Sequence, residues 1–323
     1  MERDWHKMCI FCGDFLRCMD AGIGMAALSG SVHTRFRFRE GTAVNMKNIT
    51  LSFLAFFLSV VASPAVSAAE APRTGAASEY PHRYSFPDVS IITTQDLSAQ
   101  RDRVEVVDVR SNFEYNTLHI ENARNIPVTD KDFEARVAKL AGETDKPLVF
   151  YCNGKTCKKS YEAARLAQRT RVVKCKAYDA GIFDWAKANP ERTVLLGKSP
   201  IRLDDLIDEA RFQARLISAQ EFEAKIGPTA VILDVRDKIQ RDVLLFPFQE
   251  ERVTLDQLDR LDAVIRDAKA KHKTLLIYDK VGHQVQWLQY HLEAKGVKDY
   301  YFLKGGEEGY YQTKLGVHMG LKK

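Results

Sequence analysis

The sequence predicts an α/β protein made of two copies of one small domain, each a parallel sheet with helices on both faces. Three observations carry that prediction. At 323 residues the chain is longer than one domain usually needs. Four short segments recur in order at offsets of 125, 126, 127 and 125 residues. Within each copy, short apolar runs alternate with helical patterns, which implies a parallel sheet covered on both faces.

The recurring segments are short but specific. Ile92-Thr93-Thr94-Gln95-Asp96-Leu97 is echoed by Ile217-Ser218-Ala219-Gln220-Glu221-Phe222. Val106-Val107-Asp108-Val109-Arg110 is echoed by Ile232-Leu233-Asp234-Val235-Arg236. Leu148-Val149-Phe150-Tyr151-Cys152 is echoed by Leu275-Leu276-Ile277-Tyr278-Asp279, and Tyr178-Asp179-Ala180-Gly181 by Leu303-Lys304-Gly305-Gly306. The period is too long for a solenoid unit and matches a whole small domain.

Taken along the chain, residues 1–45 are expected to be an overcalled start or a disordered segment. Cys9 and Cys12 have C-x-x-C spacing, with His6 and Cys18 nearby. A zinc site needs a second ligand pair in a folded context, and none is evident, so no metal is expected. Residues 46–69 read as a signal peptide: Met46-Lys47, an apolar run over 49–61, then small residues up to Ala68-Ala69. That run is shorter than the roughly 18 residues expected of a spanning helix. The expectation is export to the periplasm with no stable membrane insertion after cleavage.

Residues 70–89 carry Pro72, Gly75, Pro81 and Pro87 and read as a flexible tail. Residues 90–196 form the first domain. Its runs at 104–109 and 148–151 read as buried strands, and 160–169 as a helix with Ala163, Ala164 and Ala167 on one face. Residues 197–215, opening Gly197-Lys198-Ser199-Pro200, read as a linker containing a helix. Residues 216–323 form the second domain. In it Trp287, Tyr290, Tyr300, Tyr301, Phe302, Tyr310 and Tyr311 read as core rather than as a peptide groove, and His283 and His291 as packing or surface histidines.

Composition excludes several classes. Hydrophobic residues make up 45% and charged residues 28%, an ordinary globular balance. The +5 net charge comes from interspersed residues with no basic stripe, so no nucleic-acid partner is expected. Six cysteines, at 9, 12, 18, 152, 157 and 175, are too unevenly placed for a disulfide scaffold.

Cys152 is the candidate nucleophile. It ends an apolar strand, and a polar loop leads from it into a helix beginning near Ser160. In parallel sheets, ligands bind beyond the carboxyl ends of the strands. Loop amides and a helix amino terminus favour an anion there and can pull a cysteine pKa below its free value of about 8.5. Asn153, Gly154, Lys155, Thr156, Cys157 and Lys158 form the candidate substrate-binding loop, and Lys155, Lys158 and Lys159 bring positive charge suited to a small anion. Cys175 reads as a strand residue.

Two stretches carry a family resemblance. Asp108-Val109-Arg110-Ser111-Asn112-Phe113-Glu114-Tyr115, followed by His119-Ile120-Glu121-Asn122-Ala123-Arg124-Asn125-Ile126-Pro127, resembles the first signature of the rhodanese family, D-V-R-x-x-x-E-Y-x-x-G-H-I-x-x-A-x-N-I-P. Leu118 replaces its glycine. Tyr151 to Ser160 sits where that family places its active-site loop. Tyr178-Asp179-Ala180-Gly181-Ile182-Phe183-Asp184-Trp185 is similar to its closing segment, with Ala180 replacing a glycine. The resemblance covers residues 90–190 well and 215–312 more weakly.

The resemblance implies a sulfurtransferase without a cofactor. Cys152 would take sulfane sulfur from a small anionic donor, thiosulfate or a persulfide, and hold it as a persulfide. A thiol or cyanide acceptor would then remove it. Backbone N–H groups of 153–158 would stabilise the negative sulfur. Asp108, Arg110, Glu114 and His119 would be structural.

The departures matter as much. Gly154 lies two places after the cysteine where the family has three, and the loop is about two residues longer. Long-loop relatives include phosphatases with C-x5-R; here that arginine position holds Lys158, a point charge rather than a fork. Asp279 stands at the second copy's cysteine position, and the E-Y…H-I stretch is missing after Arg236, so the second domain is expected to be inactive. Cys157, five residues after Cys152, is a possible resolving cysteine. The alternative functions are a non-catalytic binding module on this fold and a thiol-disulfide protein using Cys152 and Cys157.

Overall fold

The structure, a computed structural model, describes residues 79–170 and 174–316. The expectations for 1–45, for 46–69 and for the first part of the tail, 70–78, lie outside the described residues. Everything described below belongs to one unit, residues 70–323.

The first half runs α1 (Thr94–Gln100), β1 (Glu105–Asp108), α2 (Asn112–Thr117), β2 (Leu118–Ile120), β3 (Arg124–Asn125), α3 (Phe133–Glu143), β4 (Leu148–Tyr151), α4 (Lys159–Arg169), β5 (Cys175–Tyr178), α5 (Gly181–Ala188) and β6 (Thr193–Leu195). The second half runs α6 (Glu209–Gln213), β7 (Leu216–Ile217), α7 (Ala219–Ala224), β8 (Ala230–Asp234), β9 (Glu250–Arg252), α8 (Leu258–Ala270), β10 (Thr274–Tyr278), α9 (Gln284–Ala294), β11 (Tyr300–Leu303) and α10 (Gly306–Leu315).

Each half is built on a parallel sheet, ordered β3-β1-β4-β5 in the first and β9-β8-β10-β11-β7 in the second. The central strands are apolar on both faces because helices cover both: all four residues of β4 are buried. The sequence repeat is a repeat of strand register. Val106 faces Val149 in the first sheet, and their echoes Ile232 and Leu276 face each other in the second. Val149 faces Lys176 as Leu276 faces Tyr301. A single bridge, Ile91 to Ala177, stands in the first half where β7 pairs with β11 in the second. The small antiparallel sheet of β2 and β6 is an addition to the first half.

Local sequence sets the helix starts. Ser111 and Glu114 form a reciprocal capping box on α2, and Ser218 and Glu221 form one on α7. The segment 197–215 is not a free spacer. It contains α6, and Ile201, Ile207 and Phe212 are buried in a core cluster shared by both halves.

The halves meet through α2 and α9. Phe113 stacks on His291 with ring centroids 4.6 Å apart, and Phe183 stacks on Trp287 at 5.3 Å. The Thr117 hydroxyl donates to the Phe113 carbonyl at 2.7 Å, so it can only accept from His291 Nε2, 3.0 Å away. Burial, helped by the charge of Lys295 and opposed by Asp262, holds the His291 pKa below the ordinary histidine value. A histidine depressed in the folded state favours folding fully above its unfolded pKa of about 6.5 and loses that contribution as pH falls through the folded value. Wild type should therefore lose more stability than His291→Gln between about pH 8 and about pH 5.5. Urea midpoints of both proteins across that window test it; parallel curves would show that His291 is not the titrating group at the junction.

Candidate active site

The site begins with β4. Four buried residues carry the chain to its carboxyl end, where Cys152 leaves the sheet and is itself 0% exposed. A cysteine that opens a polar loop would be expected to contribute little packing. Cys152 belongs instead to the core cluster that includes Phe150, Tyr161 and Ala164, because the loop folds back over it. Its Sγ lies 3.9 Å from Ser160 Oγ, at the start of α4, and 3.5 Å from the Cys157 carbonyl oxygen. Cys152 and Cys157 are paired as a disulfide, with Cα atoms 6.5 Å apart.

Neighbours on two sides fix the loop. Gly181 has φ +74°, and a Cβ there would come within 2.4 Å of Gly154 N. Only glycine permits this close approach of the β5–α5 turn to the loop. Ile182 N–H donates to the Cys152 carbonyl at 3.0 Å. On the other side, Asn153 donates through Nδ2 to Glu114 Oε1 at 2.9 Å and accepts at Oδ1 from Arg110 Nη1 at 3.3 Å. Its side chain thus ties the loop to α2 and β1.

Arg110 is the centre of that tie. It is fully buried and bonds Asp108 through Nε at 2.9 Å and Nη2 at 2.5 Å, and the Leu118 carbonyl at 2.6 Å. Its guanidinium lies 5.0 Å from the Trp287 ring centroid across the junction. Burial alone would lower the Arg110 pKa, but Asp108 outweighs it and the net direction is up. Burial likewise pushes Glu114 up, yet Arg110, Lys159 and the bonds from Asn153 and Ser111 hold it below the ordinary carboxylate value. His119, on β2, has Nδ1 2.7 Å from the Tyr115 carbonyl and stacks on the Tyr115 ring at 4.0 Å. Burial keeps its pKa below the ordinary value.

Two of the three lysines expected to supply positive charge to an anion, Lys155 and Lys158, are paired with carboxylates. Lys155 pairs with Glu79 and with Asp184 at 3.1 Å, and those two bonds raise its pKa. Lys158 pairs with Glu162 at 3.0 Å, one turn along α4.

The described part of the expected flexible tail, 79–89, is folded onto this site. Arg83 donates to both Asp179 carboxylate oxygens at 2.7 and 3.1 Å, and Tyr161 donates to the same carboxylate at 2.6 Å. Asp179 is 2% exposed and immediately precedes the Ala180-Gly181 turn. His82 Nε2 reaches the Thr156 carbonyl at 2.9 Å, and Phe86 stacks on Tyr161 at 5.2 Å. The prolines suggested flexibility, but the aromatic and basic residues between them make the contacts. Arg83, Tyr161, Asp179 and Ser160 are site residues that sequence reasoning did not assign. The one signal for them was that Asp179 and Ser160 lie inside the loop and closing segments.

The second copy shows what replaces the cysteine. Asp279 is 0% exposed, and its carboxylate accepts the backbone N–H groups of Gly282, Gln284 and Val285. Burial raises its pKa despite those bonds. The amide cradle of the loop is therefore present but filled by the chain's own carboxylate. Arg236 repeats the Arg110 arrangement, bonding Asp234 at 2.9 Å, and Glu307 joins it at 2.8 Å. Among the described residues no group of histidine, cysteine and carboxylate side chains could hold a metal.

Comparison with known proteins agrees with the first half. Residues 93–188 match the family model described as a rhodanese-like domain. The chain is 37% identical over 99 residues to an HTH-type transcriptional regulator of Mycobacterium tuberculosis, a match covering 30% of this chain and 42% of that protein. It thus spans less than half the length of that relative. Among solved structures it is similar to a thiosulfate sulfurtransferase from Pseudomonas aeruginosa, at 21% identity over 71% of this chain and 43% of that one, with a TM-score of 0.35. It is also similar to the rhodanese-like domain of an Anabaena sp. protein, at 22% identity over 36% of this chain and 89% of that one, with a TM-score of 0.29. The matched segment opens at Thr93, the N-cap of α1, and closes at Ala188, the end of α5, so it contains the first parallel sheet and the whole Cys152 loop. Residues 93–188 of this chain are thus similar to a rhodanese-like domain.

Proposed function

We propose that the protein is an exported sulfurtransferase that carries sulfane sulfur on Cys152. The observation that carries this reading is the position of Cys152, at the carboxyl end of a central parallel strand and directly before the loop and amino terminus of α4. That position puts the amino terminus of α4 and the Ser160 hydroxyl, 3.9 Å from Sγ, beside one sulfur, an arrangement that favours a thiolate and a negatively charged persulfide. The Cys152 thiolate attacks the outer sulfur of thiosulfate. The S–S bond of the donor breaks, and its electron pair leaves on sulfite. A cyanide or thiol acceptor then attacks the outer sulfur of the persulfide and returns the thiolate. The 152–157 disulfide must be reduced before the first step.

The second half acts in this reading as a scaffold, since its cradle is filled by Asp279 and its α9 backs the Arg110 tie. The test is a single loading. Reduced protein mixed with thiosulfate should release about one sulfite per chain and gain one sulfur atom on the peptide containing Cys152. Absence of both, with thiosulfate and with inorganic polysulfide, would remove the proposal.

A further inference from the structure

The loop after Cys152 is longer than its counterpart in the second half. Helix α4 begins seven residues after Cys152, whereas α9 begins five residues after Asp279. The extra length is folded. Cys157 N–H donates to the Gly154 carbonyl at 2.9 Å, which closes a turn and carries Cys157 back over Cys152. The Cα separation of 6.5 Å lies inside the range a disulfide spans without backbone movement. Cys157 is half-buried between the exposed Thr156 and Lys158, so it is the solvent-side member of the pair. The other cysteine among the described residues, Cys175, is buried in β5, with Sγ 3.6 Å from the Ala164 carbonyl and its pKa raised by burial.

From this geometry we infer that Cys157 resolves the Cys152 persulfide, giving the protein a second activity: reduction of sulfane sulfur to hydrosulfide. The inference rests on the sulfurtransferase reading and extends it. The Cys157 thiolate attacks the inner sulfur, Cys152 Sγ, the atom to which it is bonded in the structure. The Cys157–Cys152 bond forms and the bond from Cys152 Sγ to the outer sulfur breaks. The electron pair leaves with that sulfur, which departs as hydrosulfide with the proton of the neutral persulfide. The outer sulfur is reduced by two electrons, and the two cysteine sulfurs are oxidised to the disulfide. An external dithiol then restores both thiols by exchange. Attack within one loop competes well with a dilute external acceptor, because a short connection gives an effective concentration of about millimolar or more.

The decisive experiment is a single turnover without reductant. Full-length protein is reduced, freed of reductant and mixed with thiosulfate, and sulfite, hydrosulfide, free thiols and disulfides are measured. Wild type should release about one hydrosulfide for each sulfur loaded, lose two thiols and yield a 152–157 disulfide peptide. In Cys157→Ser, hydrosulfide per loaded sulfur should fall at least about tenfold, and the extra sulfur should stay on Cys152. Counting per loaded sulfur keeps any change in loading rate out of the comparison. Wild type that holds its extra sulfur with both thiols free would overturn this inference alone. So would Cys157→Ser releasing hydrosulfide as completely as wild type, or a disulfide mapped to Cys175. Absence of sulfite and of any gain of sulfur would overturn the sulfurtransferase reading as well.

Discussion

Replacing Cys152 with serine should lower sulfur transfer by at least about a hundredfold, because the residue that forms the covalent intermediate is gone. A serine hydroxyl is far too weak an acid to be ionised at neutral pH, and it cannot form a persulfide. At a loop end, replacing a cysteine would be expected to leave stability almost untouched. The structure revises that expectation, since Cys152 is fully buried and packs in the same cluster as Phe150 and Tyr161. A buried hydroxyl there has Ser160 Oγ and the Cys157 carbonyl within reach. The cost should therefore be that of a partnered polar group, about 1–2 kcal/mol. Reduced wild type and Cys152→Ser should be compared, so that loss of the disulfide does not enter. Sulfite release from thiosulfate gives the rate and a urea titration gives the stability. A variant keeping more than about a hundredth of the wild-type rate would show that another group carries the sulfur.

The architecture was legible because its signals are local. The β-branched runs fix the strands, and the near-constant offset of the repeat becomes a repeated strand register, Val106 with Val149 and Ile232 with Leu276. The placement of Cys152 between β4 and α4 was legible for the same reason. What escaped was set by contacts between residues far apart in the chain. Arg83 lies 96 residues from Asp179, and nothing in the composition of 79–89 points to that partner. Asn153 looked like a loop residue facing a substrate, but its amide is spent on Glu114 and Arg110, whose proximity depends on sheet pairing. The lysines of the loop looked free for an anion. The pairing of Lys155 with Glu79 and Asp184 and of Lys158 with Glu162 follows from the folded tail and from helical spacing. Trp287 read as core, which its burial matches, but its place opposite Arg110 depends on how the halves meet. Asp279 was visible as a lost nucleophile; that its carboxylate fills the amide cradle needed three dimensions.

Arg110→Met should destabilise the protein by about 3–5 kcal/mol, because it leaves the Asp108 carboxylate buried without its cation. Both side chains are 0% exposed, so water cannot take the place of the guanidinium. Arg236→Met makes the matching change in the second half, where Asp234 and Glu307 both lose a partner, and should cost at least as much. The two variants should part in their chemistry. Only Arg110 bonds Asn153, the residue next to Cys152, and only Arg110 lies against Trp287. At low temperature, where both variants stay folded, Arg110→Met should therefore slow sulfite release from thiosulfate while Arg236→Met leaves it close to wild type. The double variant Asp108→Leu with Arg110→Met removes the buried charge as well as its partner and should regain part of the stability. Because Asn153 still lacks the guanidinium, it should not regain the rate. Equal rates in Arg110→Met and Arg236→Met would show that the buried pair holds the fold alone and that the Cys152 loop is positioned without it.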